Sequence, residues 1–147
     1  MKIILSKDAD ELYYEEKNIV SFEIQSTPEL DTIVDGIRKR KGYIPFFDET
    51  GSSINYNGWY EFYLEFNISN NKLVGIVAVV NGNADKETCP DDKDIYRLEE
   101  FTSFDQDDVA KQLIDELNER NTSLLEIKEE IAKIKELEEA CQNGNLK

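Results

Sequence analysis

Histidine is absent from this chain of 147 residues. Its absence removes the side chain that most often binds metals and exchanges protons near neutral pH. The two cysteines, Cys89 and Cys141, lie far apart in the sequence and form no metal-binding motif. The seven glycines are scattered, with neither of the spacings that are typical of phosphate-binding loops. The sequence therefore predicts a protein that is not an enzyme and has no catalytic residue, bound metal or cofactor.

Long hydrophobic runs are also missing. The N-terminal segment has only three consecutive apolar residues after its lysine, at positions 3–5. This segment predicts neither a signal peptide nor a membrane span, which needs about 20 apolar residues. Two cysteines without such a signal are typical of reduced thiols in the cytosol. We therefore expect a cytoplasmic protein that binds no membrane.

Positive charge is scarce along the whole chain. There are 32 acidic and 17 basic residues, which give a formal net charge of −15. Residues 84–147 hold 19 acidic and 9 basic side chains, a net charge of −10, so the excess is denser there. A field of this sign repels nucleic acid and anionic membranes and attracts basic proteins. The acidity indicates either a surface for a basic partner or a charge that serves solubility.

The acidic side chains cluster in two segments. One is a polar loop after the predicted hairpin, and its spacing lacks the order of an EF-hand calcium loop. The other is the start of the C-terminal tract. The sequence therefore predicts a surface that binds a basic protein, with these candidate residues: Asp85, Glu87, Asp91, Asp92, Asp94, Asp107, Asp108, Asp115 and Glu116.

The remaining pattern predicts an α+β fold with an antiparallel sheet of four or five strands. Residues 59–68 alternate strictly between two faces, and residues 73–80 are apolar almost throughout, which indicates a hairpin. Shorter strands are predicted at residues 3–5, 19–24 and 95–101. An amphipathic helix over residues 28–41 begins after a capping threonine and ends in basic residues before a glycine. We expect a sheet domain over residues 1–103 and a helical segment over residues 104–147.

The helical segment carries an apolar stripe with heptad spacing. Such a stripe is typical of a coiled-coil seam and predicts a homodimer. Residues 118–123 are weak helix formers, and Ser123 and Glu126 resemble a capping box. The tract is therefore either one long helix or a helical hairpin. The candidate dimerisation residues are Leu113, Leu117, Leu124, Ile127, Ile131 and Ile134.

Two aromatic residues of the predicted hairpin, Trp59 and Tyr63, lie on the strand face opposite the core. A helix of the protein or of a dimer mate covers this face, or the face is a binding patch. In the second case the rings and the basic cluster with Arg38 and Arg40 predict a site for a nucleotide-like ligand. Aromatic rings stack on bases, and guanidinium groups bind phosphate.

In size, acidity and lack of catalytic chemistry the chain resembles two groups of proteins. One comprises anti-defence proteins of phages and mobile elements, including anti-CRISPR inhibitors, and the other comprises toxin-immunity proteins. The resemblance is one of general character. Together with the acidity it favours a non-enzymatic protein that inhibits or neutralises a basic partner, for example one that binds nucleic acid, in part by mimicking the charge of nucleic acid. The alternatives are a toxin-immunity protein, a homodimeric module that sequesters a nucleotide-like signal, and a purely structural coiled-coil adaptor.

Overall fold

The computed structural model of the protein describes residues 2–6, 13–16, 18–48, 50, 52–54, 58–82, 94–120 and 124–142. Within them lie five strands, a short 3-10 helix and three α-helices. The elements are β1 (Tyr13–Glu16), β2 (Ile19–Ile24), α1 (Pro28–Arg40), β3 (Gly58–Asn67), β4 (Lys72–Gly82), β5 (Ile95–Arg97), the 3-10 helix (Leu98–Glu100), α2 (Gln106–Glu119) and α3 (Leu124–Gln142). The strands form one antiparallel sheet in chain order. The predicted α+β class is confirmed.

The β3–β4 hairpin is the centre of the sheet. Its pairing runs from Gly58 opposite Gly82 to Asn67 opposite Lys72, with a bulge after Glu65. The alternation over residues 59–68 therefore predicts this strand to within one residue. The strand predicted at residues 3–5 forms only a bridge between Leu5 and Ile24. The last predicted strand is shorter than expected because the chain turns into the 3-10 helix after Arg97.

Helix α1 forms where its caps and its apolar stripe predict it. Thr27 Oγ1 accepts a hydrogen bond from the Leu30 backbone N at 3.2 Å, which satisfies a donor of the first turn. Leu30, Val34 and Ile37 are buried. The helix ends before Gly42, whose φ of 91° lies in the left-handed region that favours glycine. These features fix the buried face of α1 against the sheet.

The C-terminal tract forms two helices, so a single long helix is not what this sequence adopts. Helix α2 begins at the Asp105 cap, whose side chain accepts from the Asp108 backbone N at 3.0 Å. Its buried side chains are Val109, Leu113 and Leu117, which share one face at intervals of four residues. Helix α2 ends at Glu119 with Arg120 as its C-cap, and α3 begins at Leu124.

Polar contacts attach both C-terminal helices to the rest of the domain. Gln112 Oε1 accepts from the Ile3 backbone N at 2.6 Å. Arg120 donates to the carbonyl oxygens of Leu5 and Ser6 at 2.9 and 2.8 Å. In α3, Lys128 Nζ lies 2.9 Å from the side-chain oxygen of an asparagine in the β3–β4 turn. The helical segment is thus joined to the first residues of the chain and to the hairpin.

One face of the sheet carries the hydrophobic core, and the helices pack on that face. The core combines the inward side chains of β2, β3 and β4 with apolar residues of all three helices, including Ile127 and Ile131 of α3. Helix α2 packs against β4. Residues from both predicted units, 1–103 and 104–147, belong to this one core. No described helix covers the opposite face of the sheet.

Asp31 is a buried carboxyl group near the start of α1, with 6% of its surface exposed. Its Oδ1 accepts a hydrogen bond from Ser26 Oγ at 2.7 Å. Burial raises the pKa of Asp31 from 3.8 to about 6; the Ser26 hydrogen bond opposes this shift, and the charge of Asp35 adds to it. The folded state therefore favours the neutral form of this side chain.

The raised pKa predicts a pH-dependent stability. Between pH 4 and pH 6 the folded protein binds more protons at Asp31 than the unfolded chain does, so this contribution is full below pH 4 and is lost as pH rises through about 6. We expect Asp31→Asn to stabilise the protein by about 2 kcal/mol at pH 7. Urea unfolding should show this gain disappearing toward pH 4. An equal gain at both pH values, or a gain matched by the exposed Asp107→Asn variant, would contradict the assignment.

Candidate functional site

The acidic loop predicted to bind a partner is described at one residue. Asp94 is exposed and directly precedes β5, and its backbone oxygen accepts from the Val80 backbone N at 2.7 Å. This bond holds the end of the loop against β4. The other four candidate residues lie outside the described residues: Asp85, Glu87, Asp91 and Asp92.

The second acidic group lies on α2. Asp107, Asp108 and Asp115 are exposed, on the side of the helix away from its buried stripe. Glu116 is partly buried, and its Oε2 lies 3.9 Å from Arg120 Nε. The helix has five carboxylates and one lysine, so the exposed side of α2 carries a net negative charge that its own sequence does not balance.

Helices α1 and α2 begin beside each other, and a groove of about 550 Å³ lies between their first turns. Three acidic residues line it: Glu29 of α1, the cap residue Asp105, and Asp108 of α2. The acidic surface of α2 therefore continues onto the first turn of α1. This continuity was not predicted from the sequence, because it depends on how the two helices pack.

The uncovered face of the sheet carries the aromatic residues that the hairpin pattern placed there. Trp59 is 49% exposed, and Ile95 on β5 is 59% exposed. Tyr63 is partly buried on the same face. The sequence left two alternatives for this face, coverage by a helix or a binding patch. Within the described part of the chain, no helix covers it. Trp59 is therefore half exposed to solvent on this face, whereas Tyr63 is partly buried.

Glu61 holds the two aromatic side chains. Trp59 Nε1 donates to its Oε1 at 3.4 Å, and Tyr63 OH donates to its Oε2 at 2.8 Å. Burial raises the pKa of Tyr63 to about 12, and the hydrogen bond to Glu61 and the charge of Glu61 add to this shift. The phenol of Tyr63 is therefore neutral and acts as a donor to Glu61. Both rings lie around one carboxylate.

A charged cluster that the sequence did not reveal lies further along the same face. Arg97 Nη1 is 2.7 Å from Glu65 Oε1 and 3.5 Å from Glu99 Oε1. Although burial opposes its charge, hydrogen bonding and attraction from these carboxylates raise the pKa of Arg97 above its ordinary value. The carboxyl group of Glu99 lies against Gly75, where an added Cβ atom would overlap its Oε1. Glycine at this position makes room for the Glu99 carboxylate.

A cavity of about 320 Å³ lies between these features, on the uncovered face. The register of the strands explains it, because Tyr63, Val77 and Arg97 are neighbours across β3, β4 and β5. Its lining is largely apolar, with polar groups at the Glu65 end. The lining residues are Ser21, Tyr63, Glu65, Val77, Val79, Ile95 and Arg97. Tyr63 is the one predicted site residue among them.

The predicted ligand site that combines the rings with Arg38 does not form. Arg38 is fully buried. Its Nη1 donates to the Ile44 carbonyl oxygen at 2.8 Å and to Tyr60 OH at 3.0 Å, and its guanidinium lies 4.2 Å from the centre of the Phe46 ring. Tyr60 points to the core face, opposite Trp59, so Arg38 is engaged inside the protein rather than beside the exposed rings. Arg40 is exposed at the end of α1.

The stripe predicted to form a dimer seam lies largely inside the monomer. Four of its side chains are between 0% and 5% exposed, and they belong to the core: Leu113, Leu117, Ile127 and Ile131. Leu124 is partly buried against the same core. The side chain of Ile134 lies outside those described. The heptad spacing therefore reflects packing of α2 and α3 on their own domain, and the homodimer itself stays a prediction.

Two further findings concern the described residues only. They contain no group of three or more side chains that could bind a metal ion together. None of the described helices has the length and apolar character needed to cross a membrane.

In comparisons with known proteins, no family model, no curated protein and no solved structure matches the chain.

Proposed function

We propose that this protein is a non-enzymatic binding protein that inhibits or neutralises a basic partner protein by covering its surface. One observation carries the proposal: the exposed side of α2 presents Asp107, Asp108 and Asp115 without a matching set of basic side chains. The groove beside it adds Glu29 and Asp105. Together these residues form an acidic surface on two adjacent helices.

Charge of this kind acts on partner choice and on the rate of association. The net charge of −15 gives a field that attracts basic proteins over a Debye length, and the α2 surface gives that field a direction. Proteins that bind nucleic acid present basic surfaces built to hold rows of phosphates. Carboxylates spaced along a rigid helix compete for such surfaces. The proposal therefore includes inhibition in the manner of anti-defence proteins, with a nucleic-acid-binding protein as the target.

The cavity on the sheet favours a second candidate function, a small-molecule-binding module. Its volume of about 320 Å³ is near the lower limit for ligand pockets. Tyr63, which the sequence predicts as a ligand contact, lines it. Melting temperatures measured with a panel of nucleotides would separate the candidates, since a stabilising shift that Trp59→Ala removes favours the second.

Charge reversal on α2 tests the first candidate. We expect the triple variant with Asp107, Asp108 and Asp115 changed to lysine to bind the basic protein captured from the native cell about tenfold or more weakly. The reason is loss of attraction, so the affinity of the unchanged protein should also fall steeply between about 50 and about 300 mM salt. Titration calorimetry on the purified partner measures both effects.

A matched variant controls for net charge. The changes Glu129→Lys, Glu130→Lys and Glu136→Lys alter the charge by the same amount on exposed positions of α3. We expect this variant to lose much less affinity than the α2 variant. Equal losses would show that only the overall charge matters, and an unchanged affinity of the α2 variant would contradict the proposal.

A further inference from the structure

The cavity on the uncovered sheet face has the size and the walls of a site for one long side chain. Its sides are the methyl groups of Val77, Val79 and Ile95, and its volume is about 320 Å³. One end is polar, because Glu65 and Arg97 meet there at 2.7 Å. An apolar stem with a charged end matches this distribution, as the side chains of arginine and lysine do.

The charges around the cavity favour a cation. The described side chains on this face of β2, β3 and the 3-10 helix include the carboxylates of Glu23, Glu61, Glu65 and Glu99. Arg97 of β5 is the cation that lines the cavity, and it is already paired with two of the carboxylates. An anionic ligand would meet net repulsion here, which counts against a nucleotide as the occupant of this cavity. A second copy of the same face would also be repelled, since it brings the same excess of carboxylates.

Glu65 is the carboxylate best placed to act on a guest. Only 7% of its side chain is exposed, yet it lines the cavity. Arg97 lies 2.7 Å from its Oε1, and no other described group donates to this buried oxygen. An ionised carboxylate oxygen accepts more than one hydrogen bond, so Oε1 has room for a second donor. A donor on a guest side chain would supply it.

Among cationic side chains, arginine fits better than lysine. Its planar guanidinium stacks on aromatic rings and donates to carboxylates in two directions, whereas an ammonium group is compact and strongly hydrated. Tyr63 offers a ring in the wall of the cavity. Glu61, which holds Tyr63 and Trp59, offers a second carboxylate nearby.

We infer that this cavity receives an arginine side chain of the basic partner protein, so that the uncovered sheet face is a docking surface in addition to α2. The inference rests on the proposed function and extends it by naming the contact chemistry. Trp59 is the only tryptophan of the chain and lies on this face. Its fluorescence therefore reports occupation of the sheet face, whereas contact at α2 alone leaves it unchanged.

The test titrates an oligoarginine peptide into the full protein and follows Trp59 fluorescence. We expect saturable binding that Glu65→Gln weakens about tenfold, because the amide lacks the charge that attracts the guest. Val79→Phe, which fills the cavity and leaves all charges in place, should abolish the fluorescence change. Glu129→Gln removes one charge on α3 and should alter the affinity less than about twofold. An oligolysine peptide of equal length should bind more weakly.

Each other outcome has a definite meaning. Peptide binding by calorimetry without a Trp59 response, or with full affinity in both Glu65→Gln and Val79→Phe, overturns the inference. If peptide binding that fails these criteria is lost in the α2 variant, the proposed function is kept and only the inference about the cavity is rejected. If no variant affects peptide binding, the proposed function and the inference are both rejected. Blocked monomeric arginine that binds as tightly as the peptide shows a small-molecule site and overturns docking. Circular dichroism confirms the fold of each variant. If Glu65→Gln fails to fold, the result for Val79→Phe decides the test.

Discussion

Replacing Asp35 with alanine is expected to lower the free energy of unfolding by about 3–5 kcal/mol. Asp35 is buried in α1, and its carboxylate accepts three hydrogen bonds. Its Oδ1 accepts from the Phe46 backbone N at 2.9 Å and from Tyr60 OH at 2.5 Å, and its Oδ2 accepts from the Phe47 backbone N at 3.2 Å. Alanine leaves these donors without a partner where water has little access.

Urea unfolding of matched variants measures this effect. Asp35→Asn retains one oxygen acceptor and should cost less than Asp35→Ala. The exposed Glu129→Ala change should stay within about 0.5 kcal/mol. If Asp35→Ala costs no more than Glu129→Ala, then water replaces the carboxylate and the network contributes little to stability.

The network around Asp35 explains how a segment of loop becomes part of the core. Phe46 is fully buried and stacks on Tyr60 at 4.7 Å between ring centres, and the guanidinium of Arg38 lies 4.2 Å from the centre of the Phe46 ring. Burial, followed by the hydrogen bond to Asp35, raises the pKa of Tyr60 above its ordinary value, so its phenol stays a donor. Asp35 and Arg38 of α1 thus hold residues 44–47 against the helix through hydrogen bonds to their backbone.

The sequence predicts best those elements whose signals are local. Strict alternation over residues 59–68 predicts β3, and the capping threonine with proline predicts the start of α1, because each signal concerns neighbours in the chain. The weak stretch at residues 118–123 left a helical hairpin as one of two alternatives, and the tract does form two helices. Asp107, Asp108 and Asp115 of α2 are also exposed as expected, since they lie opposite an apolar stripe, whereas Glu116 is partly buried.

The sequence predicts less well what depends on distant partners. The run of basic residues from Arg38 to Lys41 is typical of an exposed helix end, yet Arg38 is buried because Tyr60 and the Ile44 carbonyl accept its hydrogen bonds. The ion pair of Glu65 with Arg97 joins β3 to β5. Both strands pair with β4, and the register of these pairings brings the two side chains together. No spacing within either segment indicates this contact, so the polar end of the cavity was missed.

The second large effect concerns the apolar stripe of the C-terminal helices. Leu113 is fully buried in the core beneath α2. We expect Leu113→Ala to destabilise the protein by about 2–5 kcal/mol, from lost burial and from the cavity left behind. Leu125 on α3 is 65% exposed, and Leu125→Ala should change stability by less than about 0.5 kcal/mol. Urea or thermal unfolding measures both variants.

Protein concentration decides whether the stripe acts within one chain or between two. A core contribution leaves the unfolding midpoint of the monomer unchanged on dilution, whereas a seam between copies lowers stability by about 1.4 kcal/mol for each tenfold dilution. We expect Leu113→Ala not to change how the unfolding midpoint depends on protein concentration. A dependence that persists in Leu113→Ala would place a dimer contact elsewhere on the molecule, and one that this change abolishes would restore the coiled-coil interpretation. Since Leu113 lies under α2 rather than on its surface, a seam there would require the helix to leave its own sheet.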